Sequence, residues 1–115
     1  MPEIAIQLDP EKLSNPDLDI RHVLPDLIAK ASNGLIKDDA CDYGRTSHLL
    51  TVYLHTRDLA AAMPFVFEIL NGPPVIGNHL AAEVTVVATS PVDHSNDERD
   101  YTSVYPPGVS HFSME

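Results

Sequence analysis

Two stretches of the chain carry the same hydrophobic pattern, 39 residues apart. In each stretch, apolar residues recur at i, i+3, i+4, i+7, i+8 and i+11, which is the spacing of one buried stripe on an α-helix. The pattern therefore predicts helices over residues 20–32 and 59–71. The two stripes are Ile20, Val23, Leu24, Leu27, Ile28 and Ala31, and Leu59, Ala62, Met63, Val66, Phe67 and Leu70.

Capping signals flank both predicted helices. Asp19 and Asp58 precede them, and a carboxylate at this position can accept hydrogen bonds from the free N–H groups of the first turn. Both patterns stop at Asn-Gly, at residues 33–34 and 71–72. Glycine tolerates the left-handed conformation that often ends a helix. The same start and stop signals therefore bound both helices.

Three other segments alternate between apolar and polar residues and predict β-strands at 3–8, 47–56 and 82–88. Residues 35–44, LIKDDACDYG, alternate poorly and carry three aspartates. Charged side chains are typical of an edge strand that must not pair with another chain. We therefore expect this segment to be an edge strand.

The predicted order is strand, helix, strand, strand, helix, strand. Right-handed crossovers in the two halves give a ferredoxin-like βαββαβ fold of class α+β, with a four-stranded antiparallel sheet and both helices on one face. This domain covers residues 1–90. Residues 91–115 lack periodicity and predict an irregular acidic and aromatic tail. Tyr101, Tyr105 and Phe112 leave open whether the tail docks on the domain.

Composition narrows the classes of function. The chain has 115 residues, enough for one domain, and 17 acidic against 7 basic side chains give a formal charge of −10. This charge would repel nucleic acid. We expect no membrane segment, because no stretch approaches the roughly 20 apolar residues that a span needs. A single cysteine, Cys41, and the lack of a signal-like start predict a cytoplasmic protein.

No catalytic signature stands out, so we predict a protein that is not an enzyme and needs no cofactor. The six histidines show neither helical pairing nor the spacing typical of zinc sites, which predicts no metal. A metal site assembled from several strands stays open as an alternative. Cys41 lies among carboxylates, which disfavour a reactive thiolate. Ser47 and His48 are adjacent and would face opposite sides of a strand.

Two groups of residues are candidates for binding. Asp38, Asp39 and Asp42, next to Tyr43, are either a solvated edge or a recognition surface for a basic protein partner. Tyr53 and His55 would lie on the sheet face opposite the helices. That face could form a homodimer, bind a small molecule, meet a protein partner or lie beneath the tail.

The segment NGLIKDDACDYG, followed by the strand SHLLTVYLHT and by Asp58-Leu59, resembles small bacterial proteins of ferredoxin-like plan. Some of these act as immunity proteins beside toxins. The resemblance implies a role in binding, and acidic immunity proteins commonly face basic nucleases. We therefore expect an acidic protein-binding module of the immunity or inhibitor type. The alternative is a small dimeric ligand-binding protein or enzyme that uses the sheet face around Tyr53 and His55.

Overall fold

The chain folds into both strands and helices. A computed structural model describes residues 1–44, 48–93, 95–107 and 112–114. The elements are β1 (Glu3–Leu8), α1 (Ile20–Ala31), β2 (Ile36–Tyr43), β3 (Leu50–Thr56), α2 (Leu59–Leu70), α3 (Leu80–Glu83), β4 (Val84–Ser90) and β5 (Thr102–Tyr105). Short 3₁₀ turns lie at Pro10–Lys12 and Glu98–Asp100. Both long helices lie within one residue of their predicted bounds. Residue 47, the first of the predicted strand 47–56, lies outside the described ranges.

The strands form an antiparallel sheet with the order β2-β3-β1-β4-β5. The α+β class is confirmed, and the aspartate-rich strand β2 lies at an edge. The prediction of four strands is wrong, because the described residues contain a fifth strand, β5, which pairs with β4. β5 has only four residues, too few for an alternating pattern to be recognised. Pairing satisfies backbone groups that β4 would otherwise expose at its edge.

Both long helices pack on the same face of the sheet, which we call the inner face. Their buried side chains meet those of β1, β3 and β4 in a single apolar core. The buried stripe of α1 is narrower than predicted, since Val23 is 36% exposed. The central contacts come from Ile20, Leu24 and Ile28 of α1, from Ala62, Val66 and Leu70 of α2, and from Ile4, Ile6 and Leu8 of β1.

The two predicted N-caps behave differently. The Asp58 carboxylate accepts a hydrogen bond from the Ala61 N–H at 3.1 Å, so this cap is confirmed. Asp19 has a helical backbone, and its side chain makes no capping bond within the described chain. The Asp17 carboxylate instead accepts from the Asp19 N–H at 3.0 Å. A carboxylate two residues earlier therefore orders the entry to α1.

The two Asn-Gly signals also differ in their physical cause. Asn33 and Gly34 both have positive φ angles, 53° and 83°, so α1 ends in the predicted left-handed conformation. Gly72 follows α2 for another reason. A Cβ atom there would lie 3.0 Å from the Glu68 carbonyl oxygen, so close approach of the backbone favours glycine.

A β-bulge changes the facing of β4. Alternation predicts that Val84 and Val86 share a face. In the structure, Val84 pairs with Leu8 and Val86 with Gln7, so β4 holds an extra residue at this point. Val86 consequently lies on the outer face, while Val87 joins the helix-side core. Among the described residues, no helix has the length and apolar character needed to cross a membrane.

We expect Val66→Asp to unfold the domain. Val66 is fully buried between α2 and the sheet, and an unpaired charge there should lower the free energy of unfolding by about 3 kcal/mol or more. Val23→Asp is the matched control, because Val23 lies at the surface of α1 and its replacement should cost about 1 kcal/mol or less. Urea denaturation measures both variants. Equal losses would contradict the burial described above.

Candidate functional site

The C-terminal segment covers much of the sheet face opposite the helices, which we call the outer face. Tyr101 is 8% exposed and Phe112 only 3%, and both pack on Ala5, Val86 and Ala88. Of the alternatives that the sequence left open for this face, burial beneath the tail is therefore the one observed. The aromatic residues of the tail supply the apolar contacts that hold it there.

Tyr53 and Gln7 connect the sheet to this covering segment. The Tyr53 ring lies 6.2 Å from that of Tyr101 and 6.4 Å from that of Phe112, measured between centroids. The Gln7 side-chain amide donates hydrogen bonds to the Ser113 carbonyl at 2.6 Å and to the Thr51 hydroxyl at 3.0 Å. Gln7 is buried, so these polar contacts are shielded from water and fix the position of the segment.

A cavity of about 490 Å³ remains between β2, β3 and the covering segment. The two walls of this cavity differ in charge. The sheet supplies carboxyl groups and an aromatic ring, whereas the C-terminal segment supplies uncharged side chains. The lining residues are Glu3, Asp39, Ala40, Cys41, Asp42 and Tyr53 from the sheet, and Ser95, Asn96 and Met114 from the segment.

Three potential metal ligands meet beside this cavity, and two of them, Glu3 and Asp39, line it. Glu3, Asp39 and His55 each offer one ligand atom, and these atoms all lie within 4.8 Å of one another. The residues come from three neighbouring strands, since Glu3 is the register partner of His55. Asp39 sits at a β-bulge, between Asp38, which pairs with Leu54, and Ala40, which pairs with Tyr53. A bulge changes the direction of the side chains next to it, and here the Asp39 carboxylate lies on the outer face.

Burial raises the pKa of the Glu3 carboxyl group. Its pKa is raised from 4.5 to about 8, chiefly because the side chain is removed from water. A hydrogen bond to the Asp39 side chain raises the pKa further, as do the charges of Asp39 and Asp93. The N-terminal amine acts in the opposite direction and forms an ion pair with Asp93. The raised pKa therefore favours a protonated Glu3 hydrogen-bonded to Asp39.

Tyr53 stays neutral at physiological pH. Burial, followed by the charges of Asp42 and Glu3, raises its phenol pKa to about 12. A neutral hydroxyl can donate a hydrogen bond, and the ring presents a π face.

Four of the six predicted site residues come together. Asp39, Asp42 and Tyr53 line the cavity, and a ring nitrogen of His55 lies within 4.8 Å of an Asp39 carboxyl oxygen. The other two lie elsewhere. Asp38 pairs with Leu54, whose side chain belongs to the helix-side core, and Tyr43 likewise pairs with a core residue. The aspartates of β2 therefore do not form one surface, because strand alternation and the bulge divide them between both faces.

Sequence reasoning missed Glu3 and the residues of the covering segment. The signal available for Glu3 was an acidic residue at the start of the alternating strand 3–8, in the same alternation as Ala5 and Gln7. Ser95, Asn96 and Met114 lie in a region without periodicity, and nothing in their pattern indicates where the chain returns to the sheet. Of the six histidines, His94 and His111 lie outside the described ranges.

Comparisons of the chain with protein families, with curated proteins and with solved structures find no match. The function of this protein therefore has to be inferred from the cavity and its charges.

We expect stability to fall as the pH rises from 5 to 8. The folded state keeps a proton on Glu3 that the unfolded chain releases above pH 4.5, so the free energy of unfolding falls progressively across this window, until Glu3 ionises near pH 8. Glu3→Gln imitates the protonated carboxyl and should flatten this dependence. Denaturation at several pH values measures both proteins. Identical pH slopes would contradict the burial of a protonated Glu3.

Proposed function

We propose that this protein binds a small cationic ligand in the outer-face cavity. One observation carries the proposal: three carboxyl groups, from Glu3, Asp39 and Asp42, converge on the cavity, and no lysine or arginine is among its described lining residues. The formal charge of −10 adds a long-range field of the same sign. Such a field favours the approach of cations and disfavours anions.

The size and lining of the cavity suit a small molecule or ion. Small-molecule sites are commonly clefts of about 300–1,000 Å³ with a few convergent polar groups, and this cavity of about 490 Å³ falls within that range. The Tyr53 ring offers a face for a cation–π contact. Ser95 and Asn96 offer hydrogen-bonding groups from the opposite wall.

The proposed site fits a ferredoxin-like core. We propose that β1–β4 with α1 and α2 form this arrangement and that β5 is an addition at the β4 edge. In such a core the helices occupy one face and leave the other available for function. The C-terminal segment then turns that face from an open surface into a cavity with two walls.

Asp42→Asn should weaken binding of 1,4-diaminobutane, used as a probe cation, by about fivefold or more, because it removes a carboxylate at the cavity. Asp38→Asn is the matched control: it makes the same change on the same strand but on the other face, and should leave affinity within about twofold. Isothermal titration calorimetry measures all three proteins. Absence of binding by the unmodified protein, or equal losses in both variants, would contradict an organic cation as the ligand.

The exposed edge of β2 supports a second candidate function, that of an inhibitor or immunity-type protein for a basic partner. Asp38, Asp42 and Tyr43 are exposed along this edge strand, Tyr43 by 40%. An edge strand offers free backbone groups to a partner strand, and acidic side chains accelerate encounter with a basic surface. Cytoplasmic location, a role beside toxins and the absence of catalysis stay predictions.

If β2 is the binding edge, Asp38→Lys should slow association with a basic partner isolated from native lysate about tenfold at low salt. Glu68→Lys, on the exposed side of α2, is the control and should change the rate much less. Stopped-flow or surface-based kinetics at two salt concentrations measure the effect. A rate indifferent to both salt and Asp38 would reject this candidate.

A further inference from the structure

We propose that Glu3, Asp39 and His55 bind a divalent transition-metal ion beside the outer-face cavity. This inference rests on the proposed function and identifies the small cation as a metal ion. It concerns three side chains that the sequence does not associate, since they are separated along the chain and have none of the spacings typical of metal motifs.

The geometry is close to that of a metal centre. Ligand atoms bound to zinc at about 2.0–2.2 Å lie roughly 3–4 Å from one another, and the three ligand atoms here lie within 4.8 Å. Small side-chain rotations would therefore close the site. Its backbone scaffold is rigid, because the ligands stand on three hydrogen-bonded strands, with Glu3 and His55 directly paired.

Burial and charge favour a cation at this point. Glu3 is only 2% exposed, and an anion so placed needs a compensating positive charge. A divalent ion between the carboxylates of Glu3 and Asp39 would balance both negative charges. The ligand atoms of the two carboxyl groups already lie within 4.8 Å of each other, so a single ion can contact both.

The donor set selects the class of ion. Imidazole favours zinc, iron and similar transition metals, whereas magnesium and calcium prefer ligand sets made only of oxygen. Glu3, Asp39 and His55 supply one nitrogen and two oxygen ligands, a mixed set that suits Zn²⁺. The neighbouring cavity leaves room for water or another donor to complete the coordination. A metal-free contact between the His55 imidazole and the carboxyl groups is the arrangement from which the experiment must distinguish this site.

The test is calorimetric titration of the full chain with ZnCl₂ and, in parallel, with MgCl₂. We expect one zinc site with much weaker magnesium binding, and losses of zinc affinity of about tenfold or more in both Glu3→Gln and His55→Ala. His22→Ala removes an exposed histidine of α1 and is the matched control, with unchanged affinity expected. X-ray absorption should show one imidazole and oxygen ligands at about 2.0–2.2 Å.

Two results would overturn the metal site: no zinc binding, or zinc binding that both Glu3→Gln and His55→Ala leave unchanged. Circular dichroism of each variant checks its fold, and His55→Gln replaces His55→Ala if the latter does not fold. Should zinc fail to bind while diaminobutane binds in an Asp42-dependent manner, the metal inference falls and the proposed function stands. Should neither cation bind, both fall.

Discussion

The rest of the structure depends on the burial of β1 on both faces of the sheet. All six of its residues are buried, and the strand is hydrogen-bonded to β3 on one side and to β4 on the other. Alternation divides its side chains between two layers. The side chains of Ile4, Ile6 and Leu8 meet the helices. Those of Glu3, Ala5 and Gln7 lie on the opposite face. A strand so placed needs a cover on each side, and the aromatic C-terminal segment supplies the second one.

This double burial also explains the polar groups of the outer face. A buried polar side chain is costly unless it is hydrogen-bonded, so each one needs a partner. Gln7 bonds to Thr51 and to the backbone of the covering segment, which ties that segment to the sheet. Glu3 forms a hydrogen bond with Asp39. When both carboxyl groups are ionised they repel each other, and a cation between them would offset this repulsion. The same constraint that builds the fold therefore creates the proposed cation site.

The sequence was informative where its signals were local and periodic. The stripes of α1 and α2, and the alternation of β1, depend on neighbouring residues, so their elements and the edge position of β2 followed from pattern alone. Alternation gave the wrong facing at the β-bulges. One extra residue in β4 places Val86 on the outer face, and another in β2 places Asp39 on the opposite face from Asp38. The pairing of β5 and the docking of Phe112 depend on contacts distant in the chain, which periodicity does not encode.

The most direct measurement is a crystal structure of the protein grown with ZnCl₂, with diffraction recorded at the zinc absorption edge. The account predicts an anomalous peak within about 2.2 Å of ligand atoms from Glu3, Asp39 and His55, with Phe112 seated on the outer face above Tyr53. A peak confined to exposed histidines, or an outer face left bare by the C-terminal segment, would contradict it.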